Sequence, residues 1–338
     1  MVTQQKRALI TGLTGQDGSF LAELLLEKGY EVSGVVRGGE ARELGRAEHL
    51  RGRVGVLDGD LLSQASLRAA VVRARPHELY HLASPSFVPD SWERPTETMR
   101  AIVDATAALL EAVRTLKGAP SGARASGSDP RPRVFVAGSG AMFGDTPETP
   151  RGEDTPCRPT SPYAIAKLAT HQLVGAMRER DGLWACSGIL FNHESERRSI
   201  RFVTRAVSRG AAEVKLGLAD RVRLGNLNAV RDWSFAGDTM RGAWLMLQRE
   251  RPEDYVLASG VGHTVAELAD EAFACVGLEA EEHVEVDPKL VRPPERTASI
   301  GDPSKAHERL GWEPAVGFEQ LVRRMVEADM RALDTSGP

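Results

Sequence analysis

Short apolar runs recur along the first two hundred residues, and each is followed by a longer segment with helical periodicity. The runs are rich in Val, Ile and Leu and span residues 8–11, 32–36, 54–57, 79–82, 134–137 and 185–191. Between the first two runs, Phe20, Leu21, Leu24 and Leu25 fall on one stripe, as expected of a helix that packs on a sheet. Strands that are apolar on both faces and separated by helices are typical of a parallel sheet covered on two sides. The pattern therefore predicts an α/β protein with a doubly wound parallel sheet of the Rossmann type.

The regularity of this pattern changes after Phe191, where short helices follow one another among Pro and Arg positions. The change predicts one domain over residues 1–190 and a smaller second lobe over residues 191–338. A strand-like segment at 254–260 predicts that residues 232–260 return to the first domain. Between Lys117 and Arg133 the residues Gly, Ala, Ser and Pro dominate, which predicts an exposed loop.

Composition and charge narrow the class of protein. The chain has 338 residues with 43 basic and 47 acidic side chains, a net charge of −4. This balance argues against nucleic acid or an anionic membrane as the main partner, because both require a basic surface. The three cysteines, Cys157, Cys186 and Cys275, are too scattered for a disulfide framework or a zinc site, so we expect no metal. No apolar run approaches the roughly 18 to 20 residues that cross a bilayer and no signal peptide is recognisable, so we expect a cytoplasmic protein.

A glycine-rich turn follows the first apolar run directly. Gly12, Gly15 and Gly18 stand three residues apart, immediately before the first predicted helix. Such spacing allows a tight turn and brings the amides of a helix N-terminus close to a pyrophosphate. The segment therefore predicts dinucleotide binding, and the alternative is a purely structural turn.

The end of the second predicted strand bears on which dinucleotide binds. Enzymes that prefer NAD usually place a carboxylate there for the ribose 2′-hydroxyl, whereas an arginine accommodates the 2′-phosphate of NADP. Here Arg37 follows the strand, and no carboxylate occurs before Glu40. NADP is therefore favoured over NAD, with a merely solvated Arg37 as the alternative. We further expect Asp60 to meet the adenine and the turn at 82–84 to lie beside the ribose and phosphates.

A candidate acid–base group consists of Tyr163, Lys167 and Ser139. Tyr163 and Lys167 are four residues apart in a segment of helical periodicity, so they project from the same face. An ammonium beside a phenol stabilises the phenolate and is expected to lower its pKa from about 10 toward the range of a general base. Ser139 follows the fifth strand, at the sheet edge where ligands of this fold bind. With the glycine-rich turn, these side chains predict an acid–base site beside the dinucleotide.

Several longer segments carry a family resemblance over nearly the whole chain except residues 117–133. They include GLTGQDGSF near the N-terminus, SPYAIAK around Tyr163, FNHESERR and LGNLNAVRDW in the second lobe, and GDPSKAHERLGWEP near the C-terminus. With these motifs the chain resembles the extended short-chain dehydrogenases/reductases that act on nucleotide sugars, in particular the GDP-mannose 4,6-dehydratases. The resemblance implies an NADP-dependent enzyme whose first domain holds the cofactor and whose second lobe holds a GDP-linked hexose. It also implies a homodimer or homotetramer.

The resemblance assigns individual residues to these ligands. Catalysis is assigned to Ser139, Tyr163 and Lys167. Cofactor binding is assigned to Gly12, Thr14, Gly15, Gln16, Asp17, Gly18, Asp60, Leu61, Leu82, Ala83, Ser84, Ser86, Tyr163, Lys167, His193 and Arg198. The nucleotide sugar is assigned to Ser86, Asn192, Arg231, Arg292 and Glu295, a set in which arginine forks suit a diphosphate and a carboxylate suits ribose hydroxyls. The alternatives are a core histidine at 193 and surface ion pairs for Arg231 and Arg292.

Two positions depart from the dehydratase pattern. Residues 138–144 read GSGAMFG, so Ala141 stands where the dehydratases carry a glutamate that acts as base and acid at C5 and C6. Phe87 replaces a polar residue, which predicts a more apolar sugar pocket, with simple packing as the alternative. A positioned acid/base contributes about 10²- to 10⁴-fold to a rate. We therefore expect 4,6-elimination to be nearly silenced unless another carboxylate replaces the glutamate, such as Glu153, Asp154 or Glu194.

Oxidation at C4 does not require the missing glutamate, because Ser139, Tyr163 and Lys167 suffice for it. The leading expectation is therefore a GDP-hexose 4-epimerase that works through a 4-keto intermediate. The alternatives are a GDP-mannose 4,6-dehydratase with a relocated acid/base, a reductase of 4-keto-6-deoxy sugars, and an epimerisation or elimination that starts at C3 or C5. A non-catalytic nucleotide-sugar binder is the alternative outside the enzymes, and the retained Ser, Tyr and Lys argue against it.

Overall fold

A computed structural model of the chain describes residues 5–39, 42–116, 131–291 and 298–334. The strands in these ranges are β1 Arg7–Thr11, β2 Glu31–Val36, β3 Gly55–Asp58, β4 Glu78–His81, β5 Arg133–Ala137, β6 Ala185–Leu190, β7 Asn192–Glu194, β8 Val222–Leu224, β9 Val230–Phe235, β10 Tyr255–Leu257, β11 Gly262–Thr264 and β12 Val284–Val286. The helices are α1 Gln16–Glu27, α2 Gln64–Ala74, α3 Val88–Glu93, α4 Pro95–Met99, α5 Ala105–Thr115, α6 Pro162–Asp181, α7 Val203–Lys215, α8 Ala236–Gln248, α9 Val265–Ala274, α10 Ala280–His283, α11 Ser304–Leu310 and α12 Phe318–Asp334. A π-helical turn over Arg100–Asp104 joins α4 to α5.

The main sheet is parallel throughout and has the strand order β10-β6-β5-β4-β1-β2-β3. Each of the six predicted apolar runs contributes a strand to it, which confirms the predicted doubly wound sheet. The run predicted at 185–191 divides in two. β6 ends at Leu190, and the chain then enters β7, which pairs in a different sheet.

Alternating side chains of the strands pack against two layers of helices. On one face, Leu9 of β1 joins a cluster with apolar residues of α2, α5 and α6. On the other face, its neighbours Ala8 and Ile10 join a cluster that includes Leu21 and Leu25 of α1 and Met240 of α8. Burial on both faces is the physical reason that the strands read as continuous apolar runs.

The second lobe is built around a three-stranded sheet, β11-β9-β7, and a short parallel pair, β12-β8. Residues 232–260, predicted to return to the first domain, contribute strands to both the main sheet and the three-stranded sheet. Helix α8 packs with α1 and β10 joins the main sheet. β9 instead pairs with β7 and β11, because its Trp233 is buried beside Phe318 of α12 on the side of the second lobe.

Two further expectations concern the cysteines and the loop after α5. All three cysteines are free thiols, and Cys186 is buried in β6. The loop predicted at 117–133 lies outside the described residues as far as position 130. None of the helices within the described ranges combines the length and the hydropathy that a membrane span requires.

Candidate active site at the carboxyl edge of the sheet

A cavity of about 1230 Å³ lies where the carboxyl ends of the main-sheet strands meet the second lobe. Open α/β sheets bind ligands at this edge. Arg292 and Glu295 lie outside the described residues. The other predicted site residues all line the cavity: Gly12, Thr14, Gly15, Gln16, Asp17, Gly18, Arg37, Asp60, Leu61, Leu82, Ala83, Ser84, Ser86, Ser139, Tyr163, Lys167, Asn192, His193, Arg198 and Arg231.

The glycine-rich turn forms one end of the cavity, between β1 and α1. Gly12 has a φ of +82°, and a Cβ there would approach the Ala83 amide nitrogen to 2.9 Å. A Cβ on Gly18 would stand 2.1 Å from the Gly12 carbonyl oxygen, so α1 could not pack this closely on the turn. Gly15 is the N-cap of α1 and provides no side-chain cap, which leaves the first-turn amides directed at the cavity. The turn thus presents the anion-binding end of a helix.

The next turns continue the cavity along the sheet edge. Arg37 is exposed at the end of β2 and, among the described residues, has no ion-pair partner. The turn that carries it is held by the Asp58 carboxylate, which accepts the Gly38 amide at 2.8 Å. Asp60 stabilises its own turn by accepting the Leu62 amide at 2.9 Å. The cavity therefore has the Arg37 cation at the end of β2 and the Asp60 carboxylate after β3.

Asp17 and His193 form an ion pair between α1 and β7. The Asp17 Oδ2 and His193 Nε2 atoms are 3.0 Å apart, and His193 Nδ1 is 2.7 Å from the Phe191 carbonyl oxygen. Burial opposes both charges, but each side chain stabilises the other. The pKa of Asp17 is lowered to about 2, and the pKa of His193 is raised above its ordinary value. His193 is therefore a paired side chain that joins the cofactor-side helix to the second lobe.

We expect Asp17→Asn to lower the free energy of unfolding by about 2–3 kcal/mol near neutral pH, because the buried imidazolium loses its partner. The side chains of His193 and Asp17 are only 12% and 23% exposed. A raised His pKa stabilises the fold below its ordinary value of 6.5 and stops doing so as pH rises through the raised pKa. The lowered pKa of Asp17 contributes stability above 3.8 that is lost as pH falls through about 2.

Urea unfolding of wild type and Asp17→Asn at about pH 6 and about pH 9 checks this expectation. The difference between the two proteins should shrink at the higher pH, because wild-type His193 loses its proton as pH rises through its raised pKa. Asp154→Asn, at an exposed position outside the cavity, is the matched control and should change stability little at either pH. A loss of the same size at both pH values would contradict an ion pair.

Ser139, Tyr163 and Lys167 meet at the centre of the cavity. Ser161 caps α6, its hydroxyl accepting the Ala164 amide at 3.2 Å, so Tyr163 lies in the first turn of the helix. The Lys167 ammonium donates to the Ala137 carbonyl oxygen at 2.8 Å and lies 5.8 Å from the centre of the Tyr163 ring. The Ser139 hydroxyl accepts the Ala141 amide at 3.2 Å and interacts with the Tyr163 hydroxyl.

The expected lowering of the Tyr163 pKa is not found in this structure. Burial raises the pKa of Tyr163, and the interaction with Ser139 offsets only part of that rise. Burial also lowers the pKa of Lys167, to about 8. The sequence spacing correctly predicted a shared helix face, but it carried no information on how deeply the two groups are buried.

Ala141 lies in apolar surroundings beside this group. It packs with a cluster made of Tyr163, Ile102 and Ala166, to which Val88, Met99 and Val103 also belong. The Ala141 backbone is tied to Ser139 by the hydrogen bond from its amide. Ala141 therefore lies between this apolar cluster and the Ser139 hydroxyl.

The three carboxylates suggested as replacements for that glutamate are placed elsewhere or engaged. Glu153 accepts the Val256 amide at 2.8 Å and does not line the cavity, and neither does Asp154. Glu194 lines the cavity but is only 3% exposed. Its Oε2 atom accepts the Thr204 hydroxyl at 2.7 Å and lies 3.1 Å from Arg198 Nε. Glu194 is thus engaged by Thr204 and Arg198, whereas Glu153 and Asp154 do not line the cavity.

The second-lobe wall adds residues that the sequence reasoning did not single out. Arg201 and Phe202 line the cavity just after Arg198, and Asn226 and Asn228 line it from the LGNLNA motif. The only signal for these residues in the sequence was that they stand next to positions of recognised motifs. Arg201 makes two contacts with Asp90, at 2.9 and 2.6 Å, which join the two walls of the cavity. The exposed carboxylates Glu97 and Asp145 also line it.

Known proteins resemble this chain in sequence over nearly its whole length. The family model described as GDP-mannose 4,6 dehydratase matches residues 9–325. GDP-mannose 4,6 dehydratase 1 of Arabidopsis thaliana is 45% identical, covering 98% of this chain and 91% of the plant protein. The human GDP-mannose 4,6 dehydratase is 39% identical, covering 97% of this chain and 92% of the human protein.

Solved structures resemble the chain in fold. UDP-glucose 4-epimerase from Thermus thermophilus, in complex with NAD, has a TM-score of 0.79 at 28% identity, covering 96% of this chain and 98% of that one. RMD from Pseudomonas aeruginosa, in complex with NADPH, has a TM-score of 0.79 at 22% identity, covering 97% of this chain and 100% of that one. These similarities confirm the Rossmann-type architecture.

Proposed function

Because the chain belongs to the GDP-mannose 4,6-dehydratase family of NAD(P)-dependent enzymes, we propose that it oxidises a GDP-linked hexose at C4 and completes the reaction as a 4-epimerase. The first domain binds NADP in this proposal. The nucleotide sugar is assigned in it to Ser86, Asn192, Arg231, Arg292 and Glu295. The observation that carries the proposal is the pairing of a complete Ser139, Tyr163 and Lys167 group with an apolar Ala141 beside it.

The described residues fit a nicotinamide dinucleotide. The close approach at Gly12 and Gly18 leaves no room for side chains there, and the uncapped amides of α1 suit a pyrophosphate. Arg37 offers to the 2′-phosphate of NADP a cation that has no ion-pair partner within the described part of the chain. When bound, the nicotinamide supplies the removal of hydride from C4 and its return to the opposite face after the 4-keto sugar has turned.

The chain's own residues supply proton transfer and orientation. Ser139 and Tyr163 bind the hydroxyl on C4, and Tyr163 takes its proton as C4 is oxidised. Lys167 holds a positive charge near the phenol and is itself fixed by the Ala137 carbonyl. When the ketone is reduced again, Tyr163 returns the proton to the oxygen on C4. This cycle needs no acid or base at C5 or C6, and Ala141 itself cannot supply one.

A GDP-mannose 4,6-dehydratase with a relocated acid/base is the second candidate, and the family match favours it. Elimination requires a group that removes the C5 proton and one that delivers a proton to the leaving hydroxyl on C6. Among the described residues, Glu97 and Asp145 are the exposed carboxylates of the cavity. Glu97 lies 3.5 Å from Arg94, in a pair open to solvent.

Incubation with GDP-mannose and NADP⁺ in deuterated water, followed by mass spectrometry and proton NMR, separates the two candidates. We expect a product of unchanged mass with an altered H4 coupling and no deuterium, because hydride returns to the carbon it left. Loss of water with deuterium at C5 would instead establish dehydration. An absence of both products with GDP-mannose, and of reduction when NADPH and a 4-keto-6-deoxy sugar are supplied, would contradict the enzymatic proposal.

We expect Arg37→Ala to raise the KM for NADP⁺ by about 10- to 100-fold and to leave the KM for NAD⁺ little changed. A charge-assisted hydrogen bond to a phosphate contributes more than a neutral one, and NAD⁺ lacks that phosphate. The matched control is Arg73→Ala, which removes the same charge from the exposed face of α2 outside the cavity. Equal weakening of both cofactors by Arg37→Ala would contradict the assignment of Arg37 to the 2′-phosphate.

A further inference from the structure

Part of the cavity wall next to Ser139 is apolar. Ala141 belongs to this part, because its amide is bonded to the Ser139 hydroxyl and, like Val88, it packs against the apolar cluster of Ile102, Tyr163 and Ala166. Val88, Ala141 and Tyr163 all line the cavity. A sugar hydroxyl held by Ser139 and Tyr163 would therefore place the neighbouring ring substituent against methyl and methylene groups.

Phe87 extends the wall toward the second lobe. Its ring packs edge-on against Phe202, with ring centres 5.5 Å apart, and both rings line the cavity. The Arg201 guanidinium lies 4.0 Å from the centre of the Phe87 ring and is held there by its two contacts with Asp90. The ring is thus fixed between an ion pair and a second aromatic ring. A fixed aromatic surface offers a sugar contact area without a hydrogen-bond partner.

From this wall we propose that the preferred substrate is a GDP-linked 6-deoxyhexose. The inference rests on the proposed function, in which Ser139 and Tyr163 hold the oxygen on C4. Of the two ring carbons next to C4, C5 carries a substituent that extends a full carbon beyond the ring. When this substituent is a methyl group, it can pack directly against the wall. A hydroxymethyl group would lose there the hydrogen bonds that its hydroxyl makes with water. Removing a hydroxyl from C3 leaves only a hydrogen, which does not reach the wall.

The test compares GDP-6-deoxymannose, GDP-3-deoxymannose and GDP-mannose by turnover with NADP⁺ and by isothermal titration with the NADP-bound protein. An apolar pocket discriminates against an added hydroxyl by up to about 10²-fold. We expect kcat/KM and affinity to favour GDP-6-deoxymannose over GDP-mannose by about 10- to 100-fold, with no gain for the 3-deoxy sugar. A gain for the 3-deoxy sugar alone, or equal values for all three, would overturn the inference.

Binding without turnover distinguishes this inference from the proposed function. If no sugar is oxidised but GDP-6-deoxymannose binds most tightly, the proposed activity fails and the preference stands. If all sugars are epimerised equally well, the activity stands and the preference fails. Ala141→Ser and Phe87→His each place a polar group in the wall and should reduce the preference by several-fold. Ala74→Ser makes the same change as Ala141→Ser at the end of α2, outside the cavity, and should leave the preference unchanged.

Discussion

Tyr163→Phe is expected to lower kcat for sugar oxidation by about 10²- to 10⁴-fold, the contribution typical of a positioned general acid/base. The substitution removes only the phenolic oxygen that interacts with Ser139. Because burial raises the pKa of Tyr163, only a small fraction of wild type is phenolate near neutral pH. We therefore expect wild-type kcat to rise with pH, and this dependence to vanish in Tyr163→Phe.

Single-turnover formation of NADPH from a GDP-hexose, followed by absorbance over a range of pH, measures both effects. The matched control is Tyr255→Phe, which removes a hydroxyl from β10 outside the cavity. This control should retain the wild-type rate and pH profile. The affinity of Tyr163→Phe for NADP⁺ should stay within a few-fold of wild type, since the ring is kept. A rate within 10-fold of wild type would show that another group accepts the proton.

Ala141→Glu is expected to introduce 4,6-elimination at a rate about 10²- to 10⁴-fold above that of the wild-type protein. The new carboxyl would stand beside Ser139, in the position where the resembling dehydratases carry their glutamate. It would lie beside the apolar cluster of Ile102, Tyr163 and Ala166, against which Ala141 packs, and would be partly buried there. Such burial raises the pKa of a carboxyl group, so part of it would stay protonated near neutral pH. A group that is available in both forms can remove one proton and deliver another.

The product of Ala141→Glu with GDP-mannose and NADP⁺ in deuterated water is the decisive measurement. A mass lower by one water, with deuterium at C5, is the expected result. Ala141→Gln has almost the same shape without the titratable group and should not eliminate water. Equal elimination by wild type and both variants would mean that the wild-type chain already holds a relocated acid/base, as the second candidate function requires.

The fold was largely predictable because the main sheet is buried on both faces. The run at 134–137 is apolar at every position, since neither face of β5 meets water. The turn around Gly12 was predictable for a related reason, because its positive φ and close approach to Ala83 admit only glycine. The position of β9 was not predictable, because its pairing with β7 and β11 depends on segments distant in sequence.

The candidate site also has one part that was predictable from the sequence and one part that was not. Every predicted site residue within the described ranges lines one cavity, because strand ends of a parallel sheet converge at one edge. The role of Glu194 was not predictable, since its partners Arg198 and Thr204 engage it only through the local fold of the second lobe. The contact of Arg201 with Phe87 and Asp90 was missed for the same reason, as it joins two separate walls.

The sequence by itself determined the order of strands and helices, the glycine-rich turn, the shared face of Tyr163 and Lys167, and the absence of a glutamate at 141. Each of these is a property of residues close together in the sequence or of the residue type at a single position. Only the tertiary structure decided the raised pKa of Tyr163, the ion pair between Asp17 and His193, and the apolar wall around Ala141. Those properties depend on burial and on partners that are far apart in the chain, 176 positions for Asp17 and His193. Because desolvation and pairing act through space, no local pattern of residues specifies them.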